Sequence, residues 1–385
     1  MLQGGSGKLM RSTTTDKSIY YFDYNSTHPP FRDIIQKNTE YYYGNYFNPS
    51  GANRFSVQSQ KRINDARSYF ADTTGKAPGS IFFASTGTEA NHTLLYILKN
   101  SPDLPDSVIT SAMEHPSVYE ALERQNISYR VAGTDKTGII DLDALADLLS
   151  ESPSALFIIG AGNETGVIQP LEAIADTAAK FSVPFYSDLM QLFGKADIDY
   201  ALLDGFTCSG HKIGAGPGAS MVCMNPIPAK GLFGGGHQEN GLRAGTENII
   251  AIPAFAEVAG LQASGLEEKN KRLAKYQKKI EDFLESRGAE IIARNSPRLP
   301  STTYALLPTD EIDFFIMGME EAGIYISTGS SCKSRSRDAS RTLLSMGYSR
   351  EEALRAVRIS TGYFTGDEDV DYLVEKTGLV LDRLS

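Results

Sequence analysis

Tryptophan is absent from this chain, and cysteine and histidine are scarce, at three and five residues. Cys208, Cys223 and Cys332 make an odd number without CxxC spacing, which argues against a disulfide framework and against a cysteine zinc site. No metal is expected, and a reducing compartment, the cytoplasm, is the expected setting. No apolar run reaches the roughly 18 residues a membrane span needs, and the start of the chain lacks the apolar core of a signal peptide, so no membrane partner is expected. A dense Lys/Arg block is missing too. With a net charge of −10, the chain carries no electrostatic footprint for nucleic acid. Its most basic run, Lys269 to Lys279, alternates with apolar residues at helical spacing and reads as the solvated face of a helix.

What is present fits a globular protein of two domains: 385 residues, 41% hydrophobic and 22% charged. Residues 1–18, with Gly4-Gly5-Ser6-Gly7, read as a flexible leader. Ile19 to Asp23 forms a short strand; Phe31 to Tyr43 has helical spacing, with Gly44 as its C-cap. From Ile81 onward strands alternate with helices, the pattern of βαβ units and an α/β fold whose mostly parallel sheet is covered by helices. Ligands of such sheets bind beyond the carboxyl ends of the strands, where His115, Asn163, Asp188 and Lys212 all fall. Past Ile250 the pattern changes to a long amphipathic helix over roughly 251–287, then short strands mixed with helices. The expected division is a large domain over 24–258 and a smaller α+β domain formed by 19–23 with 259–385, carrying a loop at about 327–340.

Four stretches carry chemistry. Lys212, in Ser209-Gly210-His211-Lys212, follows an apolar strand and precedes Gly214, Gly216 and Gly218; a lysine held at such a turn suits Schiff-base formation, while a surface lysine is the plain alternative. Ser85-Thr86-Gly87-Thr88-Glu89 opens a helix expected over Glu89 to Leu98. Its exposed N–H groups favour a phosphate, or Thr88 serves only as the N-cap. Asp188 at a strand end could hold a pyridine nitrogen protonated or cap a helix. The segment from Gly234-Gly235-Gly236 to Thr246-Glu247-Asn248 is either a surface loop or backbone packed against an anionic ligand or a partner subunit. Cys332 lies among Lys333, Arg335 and Arg337, which favour its thiolate, whereas Cys208 and Cys223 sit in apolar strands.

Taken together, these motifs resemble, from about Ile19 to Leu373 and in order, the pyridoxal-phosphate-dependent cysteine desulfurases of the NifS/IscS type, within the class V aminotransferase family. The resemblance implies fold type I, a homodimer and pyridoxal 5'-phosphate as cofactor. It implies that L-cysteine is converted to L-alanine, with its sulfur passed through a persulfide on Cys332 to an acceptor such as an iron–sulfur scaffold or a tRNA-thiolation protein. Lys212 matches the Schiff-base lysine, Asp188 the pyridine-nitrogen partner, Gln191 the group near the ring hydroxyl, and His115 the histidine stacked on the ring. Gly87, Thr88, Ser209 and His211 match phosphate ligands, and Thr246 the ligand reaching in from the other subunit. Asn163 and Arg358 match the residues that hold the substrate carboxylate. The chain departs from the family around Asp23 to Pro29, where Tyr24 and His28 are expected to put a phenol and an imidazole near the cofactor rim. Leu189, Leu192 and Phe193 flank Gln191 where smaller residues are common. A selenocysteine lyase, a cysteine sulfinate desulfinase and a weak sulfur-relay or scaffold-binding relative are the alternatives.

Overall fold

The computed structural model of the chain describes residues 19–101, 107–151, 153–225, 230–328 and 338–384. The expected leader over 1–18 and Cys332 therefore lie outside the described residues.

Seven strands form the central sheet, in the order Ile81–Ala84, Ser220–Met224, Gly205–Ser209, Phe185–Asp188, Ala155–Phe157, Ser107–Ser111 and Ser128–Ala132. The last five are parallel, and Ser220–Met224 runs against both its neighbours. Both faces are covered, so successive residues enter different cores, as the two-residue period of a strand requires. Ile81, Phe83, Ile109 and Leu156 pack with Phe70 and Phe255 on one side. Phe82, Val108 and Phe157 pack with Leu94 and Val118 on the other. The expected mostly parallel α/β sheet is thus the one found.

A three-stranded antiparallel sheet, Ala356–Ser360, Thr302–Leu306 and Glu290–Ile291, lies beyond it. Tyr20–Tyr21 pairs in parallel with Ile324–Tyr325, and Phe22 joins Tyr276, Phe315, Ile359 and Leu373 in a further core. None of the described helices is long and apolar enough to cross a membrane.

Three local expectations are corrected. The stretch expected as one helix over 251–287 is two, Ala251–Ser264 and Leu266–Ser286, meeting at Gly265. The first helix is apolar nearly all round and lies in the core, whereas the second is amphipathic; glycine is the weak point where one burial pattern gives way to the other. Gly44 is the last residue of the helix Arg32–Gly44 rather than its cap, because Asn45 closes it in a non-helical conformation. The helix expected from Glu89 runs over Gly87–Lys99, capped by Thr86 and not Thr88. The Thr86 hydroxyl accepts from the Glu89 N–H at 3.1 Å, and the Glu89 carboxylate accepts from the Ser85 N–H at 3.0 Å. A Thr-x-x-Glu pattern of this kind satisfies two donors at once, which Thr88 could not do.

One strained turn fastens the strand that leads into this helix. Glu239 and Asn240 adopt left-handed backbone conformations, with φ of 49° and 57°, each costing roughly 1–3 kcal/mol. The offset is visible in the buried Glu239 carboxylate, which accepts two bonds from Arg67 (2.8 and 2.9 Å) and one from the Phe83 N–H (2.8 Å). Glu239→Ala takes the counter-charge from Arg67, which keeps only its bond to the Ile81 carbonyl, and the acceptor from the Phe83 N–H, and is expected to lower stability by about 3–5 kcal/mol; a loss under about 1 kcal/mol in denaturant unfolding would contradict this role.

Candidate active site

The carboxyl ends of five strands open into one cavity of about 580 Å³, whose wall includes Gly87, His115, Asn163, Asp188, Gln191, Ser209, His211, Lys212 and Arg358. The segments that deliver these residues are far apart in sequence and adjacent in the sheet. Lys212 ends a single helical turn, Gly210–Lys212, directly after the strand Gly205–Ser209. Its Nζ donates to the carbonyls of Asn25 (2.7 Å) and Ser26 (3.0 Å). Neutral carbonyls cannot repay the lost hydration of an ammonium group. Burial, reinforced by the Arg358 charge, therefore lowers the amine to about 8, against the opposing pull of Asp188 and Asp23.

Gln191 bridges this lysine to a second one. Its Nε2 donates to the same Asn25 carbonyl at 2.8 Å, and its Oε1 accepts from Lys195 Nζ at 2.7 Å, which fixes which way its amide points. Lys195 is half-buried, and its amine is pulled well down, by burial first and then by Lys212, Lys269 and Arg358.

Asp188 accepts from Asn91 Nδ2 (2.8 Å) and from the Met190 N–H (2.8 Å). Burial pushes its carboxyl up, and those two donors draw it back. Asn91 is itself held, because its Oδ1 accepts from the Thr207 hydroxyl at 2.6 Å. His115 caps the helix Pro116–Arg124, and its Nδ1 accepts from the Ser117 N–H at 3.1 Å. The neutral ring must then carry its proton on Nε2. Burial favours that neutral form.

Across the cavity, the N-terminus of the helix Gly87–Lys99 presents unpaired N–H groups of the kind that bind anions. A Cβ at Gly87 would stand 2.9 Å from the flexible end of the Met190 side chain, which would have to shift. Arg243 steadies the turn by donating to Glu89 (2.8 Å) and to the Ser85 hydroxyl (2.7 Å). Ser209 accepts from Ser220 at 2.8 Å, and burial draws His211 down to about 4.

Arg358 reaches the wall with its charge already engaged. It donates to Asp23 Oδ1 (2.6 Å), the Ser26 hydroxyl (2.8 Å) and the Asn163 carbonyl (2.8 Å). Thr246 is exposed and is not part of the cavity wall. Residues 329–337, with Cys332, are outside the described part of the chain. Cys208 and Cys223 are buried in strands, where burial pushes their thiols up, that of Cys223 to about 12.

One expectation about the departures is corrected. Tyr24 and His28 do not line the main cavity. They border a separate chamber of about 20 Å³ behind Lys212, with Lys195, Lys269 and Thr361. His28 stacks edge-on against Tyr24 and flat against Phe31, with ring centroids 5.0 and 5.6 Å apart, and this packing draws both rings inward. Leu189, Leu192 and Phe193, which flank Gln191 in sequence, are core residues and do not line the cavity. Sequence reasoning missed Asn25, Ser26, Asn91 and Ser117. The first two act on Lys212 through backbone carbonyls, which no side-chain pattern reports.

The sequence matches the profile of the family described as aminotransferase class-V over residues 20–373. It is 29% identical to the cysteine desulfurase IscS of Methanosarcina thermophila, over 97% of this chain and 94% of that protein. Among solved structures, a NifS-like protein from Rickettsia africae superposes with a TM-score of 0.85 at 28% identity, covering 94% of this chain and 99% of the other. A structure of SspA in complex with cysteine superposes with a TM-score of 0.78 at 25% identity, covering 89% and 99%.

An amine drawn down to about 8 should react early. Labelling of Lys212 by an amine reagent in the cofactor-free protein is expected to rise with pH to a midpoint near 8 and then level off. Peptide mapping that instead showed a midpoint at about 10.4, the ordinary lysine value, would contradict the desolvation argument.

Proposed function

The chain belongs to the class-V aminotransferase family, and from that premise we propose that it is a pyridoxal-phosphate-dependent cysteine desulfurase, which converts L-cysteine to L-alanine and passes the sulfur on. The observation that carries this reading is the meeting, in one cavity, of a partly neutral lysine, a buried carboxylate held by two donors, and a helix N-terminus.

The donor set fits the cofactor part by part. An amine drawn down to about 8 suits an aldehyde, a buried aspartate suits a pyridine nitrogen, and the N-terminus at Gly87 and Thr88, with Ser209 and His211, suits a phosphate. When bound, pyridoxal phosphate supplies an electron sink for the carbon next to the substrate amine. Asp188, whose own place is set by Asn91, would hold the pyridine nitrogen protonated. His115, with its proton on Nε2, would lie against the ring. Gln191, its amide direction set by Lys195, would face the ring hydroxyl.

The neutral amine of Lys212 is the base for the substrate Cα proton. Arg358 and Asn163 receive the substrate carboxylate, Arg358 sharing its charge with Asp23. The Cys332 thiolate attacks the substrate sulfur: a sulfur–sulfur bond forms as the carbon–sulfur bond breaks, and the electron pair left on carbon takes up a proton to give alanine. Lys333, Arg335 and Arg337 favour that thiolate. The working unit is a homodimer, in which the exposed Thr246 completes the phosphate site of a second copy. A protein carrier or scaffold in the cytoplasm takes the persulfide sulfur.

Alanine and sulfide release from L-cysteine, with reductant present, tests this reading. Wild type should give equal amounts of both, while Cys332→Ala should still take up the cofactor and lose activity by at least about 100-fold. Normal cysteine turnover by Cys332→Ala would sink the persulfide role. Faster turnover of selenocysteine or cysteine sulfinate, independent of Cys332, would move the chain to a different activity.

A further inference from the structure

Glu164 is a half-buried acid that the chemistry above does not use. It follows Asn163 in the loop that leaves the strand Ala155–Phe157. Its carboxylate accepts from three hydroxyls on two other parts of the chain. Tyr304 Oη donates at 2.9 Å, Ser340 Oγ at 2.5 Å, and Thr342 Oγ1 at 3.5 Å. Burial pushes the carboxyl up, while Ser340, Tyr304 and the charge of Arg358 hold it back.

The positions of those donors give the contact its meaning. Tyr304 lies directly opposite Arg358 in the antiparallel pairing of Thr302–Leu306 with Ala356–Ser360. Ser340 is 4% exposed and caps the short helix Arg341–Ser345, its hydroxyl accepting from the Leu343 N–H at 3.1 Å while donating to Glu164. Ser327, which lines the main cavity, is bridged to Arg358 through both backbone N–H groups. Cys332 is five residues past Ser327 and eight before Ser340. The chain therefore leaves the described structure beside Arg358 and is fastened again on its return by Glu164, next to Asn163.

We propose that Glu164 is a positioning residue for sulfur transfer, which fixes the returning end of the Cys332-bearing segment to the same corner of the cavity that receives the substrate carboxylate. A short, charge-assisted O–H···O⁻ bond is suited to this task, because it is stronger than a neutral one and its geometry is narrow. Placement of a reacting group is worth large factors in rate, so a change at the Ser340 anchor, eight residues past Cys332 in the sequence, is expected to show in sulfur transfer. The proposal rests on the cysteine desulfurase reading and on Cys332 as the sulfur acceptor.

Two rates measured on the cofactor-loaded full chain separate this role from a general structural one. Alanine formation from L-cysteine needs the Cys332 thiol; exchange of the Cα proton of L-alanine for deuterium needs the cavity and no thiol. Glu164→Ala is expected to lower the first about 10-fold and to leave the second within about twofold of wild type. Glu164→Gln, which keeps an acceptor oxygen, should lose less. Ser340→Ala, which deletes one hydroxyl and leaves the carboxylate in place, should reproduce the loss, and adding it to Glu164→Ala should bring little more, since neighbours in one contact are not additive. Equal losses in both rates, or an unchanged rate of alanine formation in Ser340→Ala, would overturn the proposal. If Cys332→Ala itself turned over cysteine normally, the desulfurase reading would fail first and this proposal with it.

Discussion

Taking Lys212 out of water without giving it a carboxylate is the constraint on which the rest of the molecule depends. Its hydrogen-bond partners are two backbone carbonyls, Asn25 and Ser26, contributed by a loop almost 190 residues earlier in the chain. That loop must be held at the mouth of the sheet, and several contacts do so. Gln191 donates to the Asn25 carbonyl, Asn25 Nδ2 donates to Thr302, and the Asn25 N–H donates to Ser360. The amine is kept reactive by two carbonyls that solvate it poorly, and the loop that carries them is anchored by Gln191 beside the central sheet and by Thr302 and Ser360 of the three-stranded sheet.

The same economy appears at the other titratable groups. Asp188, His115 and Glu114 are each desolvated, and in each burial is the largest influence, set against a few oriented partners or nearby charges. Burial carries Glu114 up to about 8 although Ser111 and the Ile159 N–H donate to it at 2.6 and 2.7 Å. A cleft built this way has its electrostatics set before any ligand arrives, which is where preorganised sites gain most over water.

Much of this could be read from the residues in order. Strand-and-helix alternation placed His115, Asp188 and Lys212 at strand ends, because carboxyl-end loops are where a parallel sheet leaves room for polar groups. Other parts were hidden for physical reasons. Asn91 sits inside an apolar helix and looks like an ordinary polar interruption; only the fold shows that it faces Asp188. Tyr24 and His28 were expected at the cofactor rim from their place in the chain. Aromatic packing against Phe31 takes them behind Lys212, a matter of side-chain volume that linear order does not record. Thr86 and Thr88 are equally good caps in isolation, and the choice between them was made by Glu89 three residues on. Gly265, and not Gly44, proved to be the glycine that breaks a helix.

On the proposed reading, the pairing of Arg358 with Asp23 would make carboxylate recognition an exchange rather than an addition. A guanidinium already in an ion pair offers an incoming acid only the difference between two similar contacts, so this pair would hold down the strength of amino-acid binding. Once the product left, Asp23 would again answer the buried cation. The site carries its own stand-in for the ligand, and turnover gains from a product that has a resident competitor.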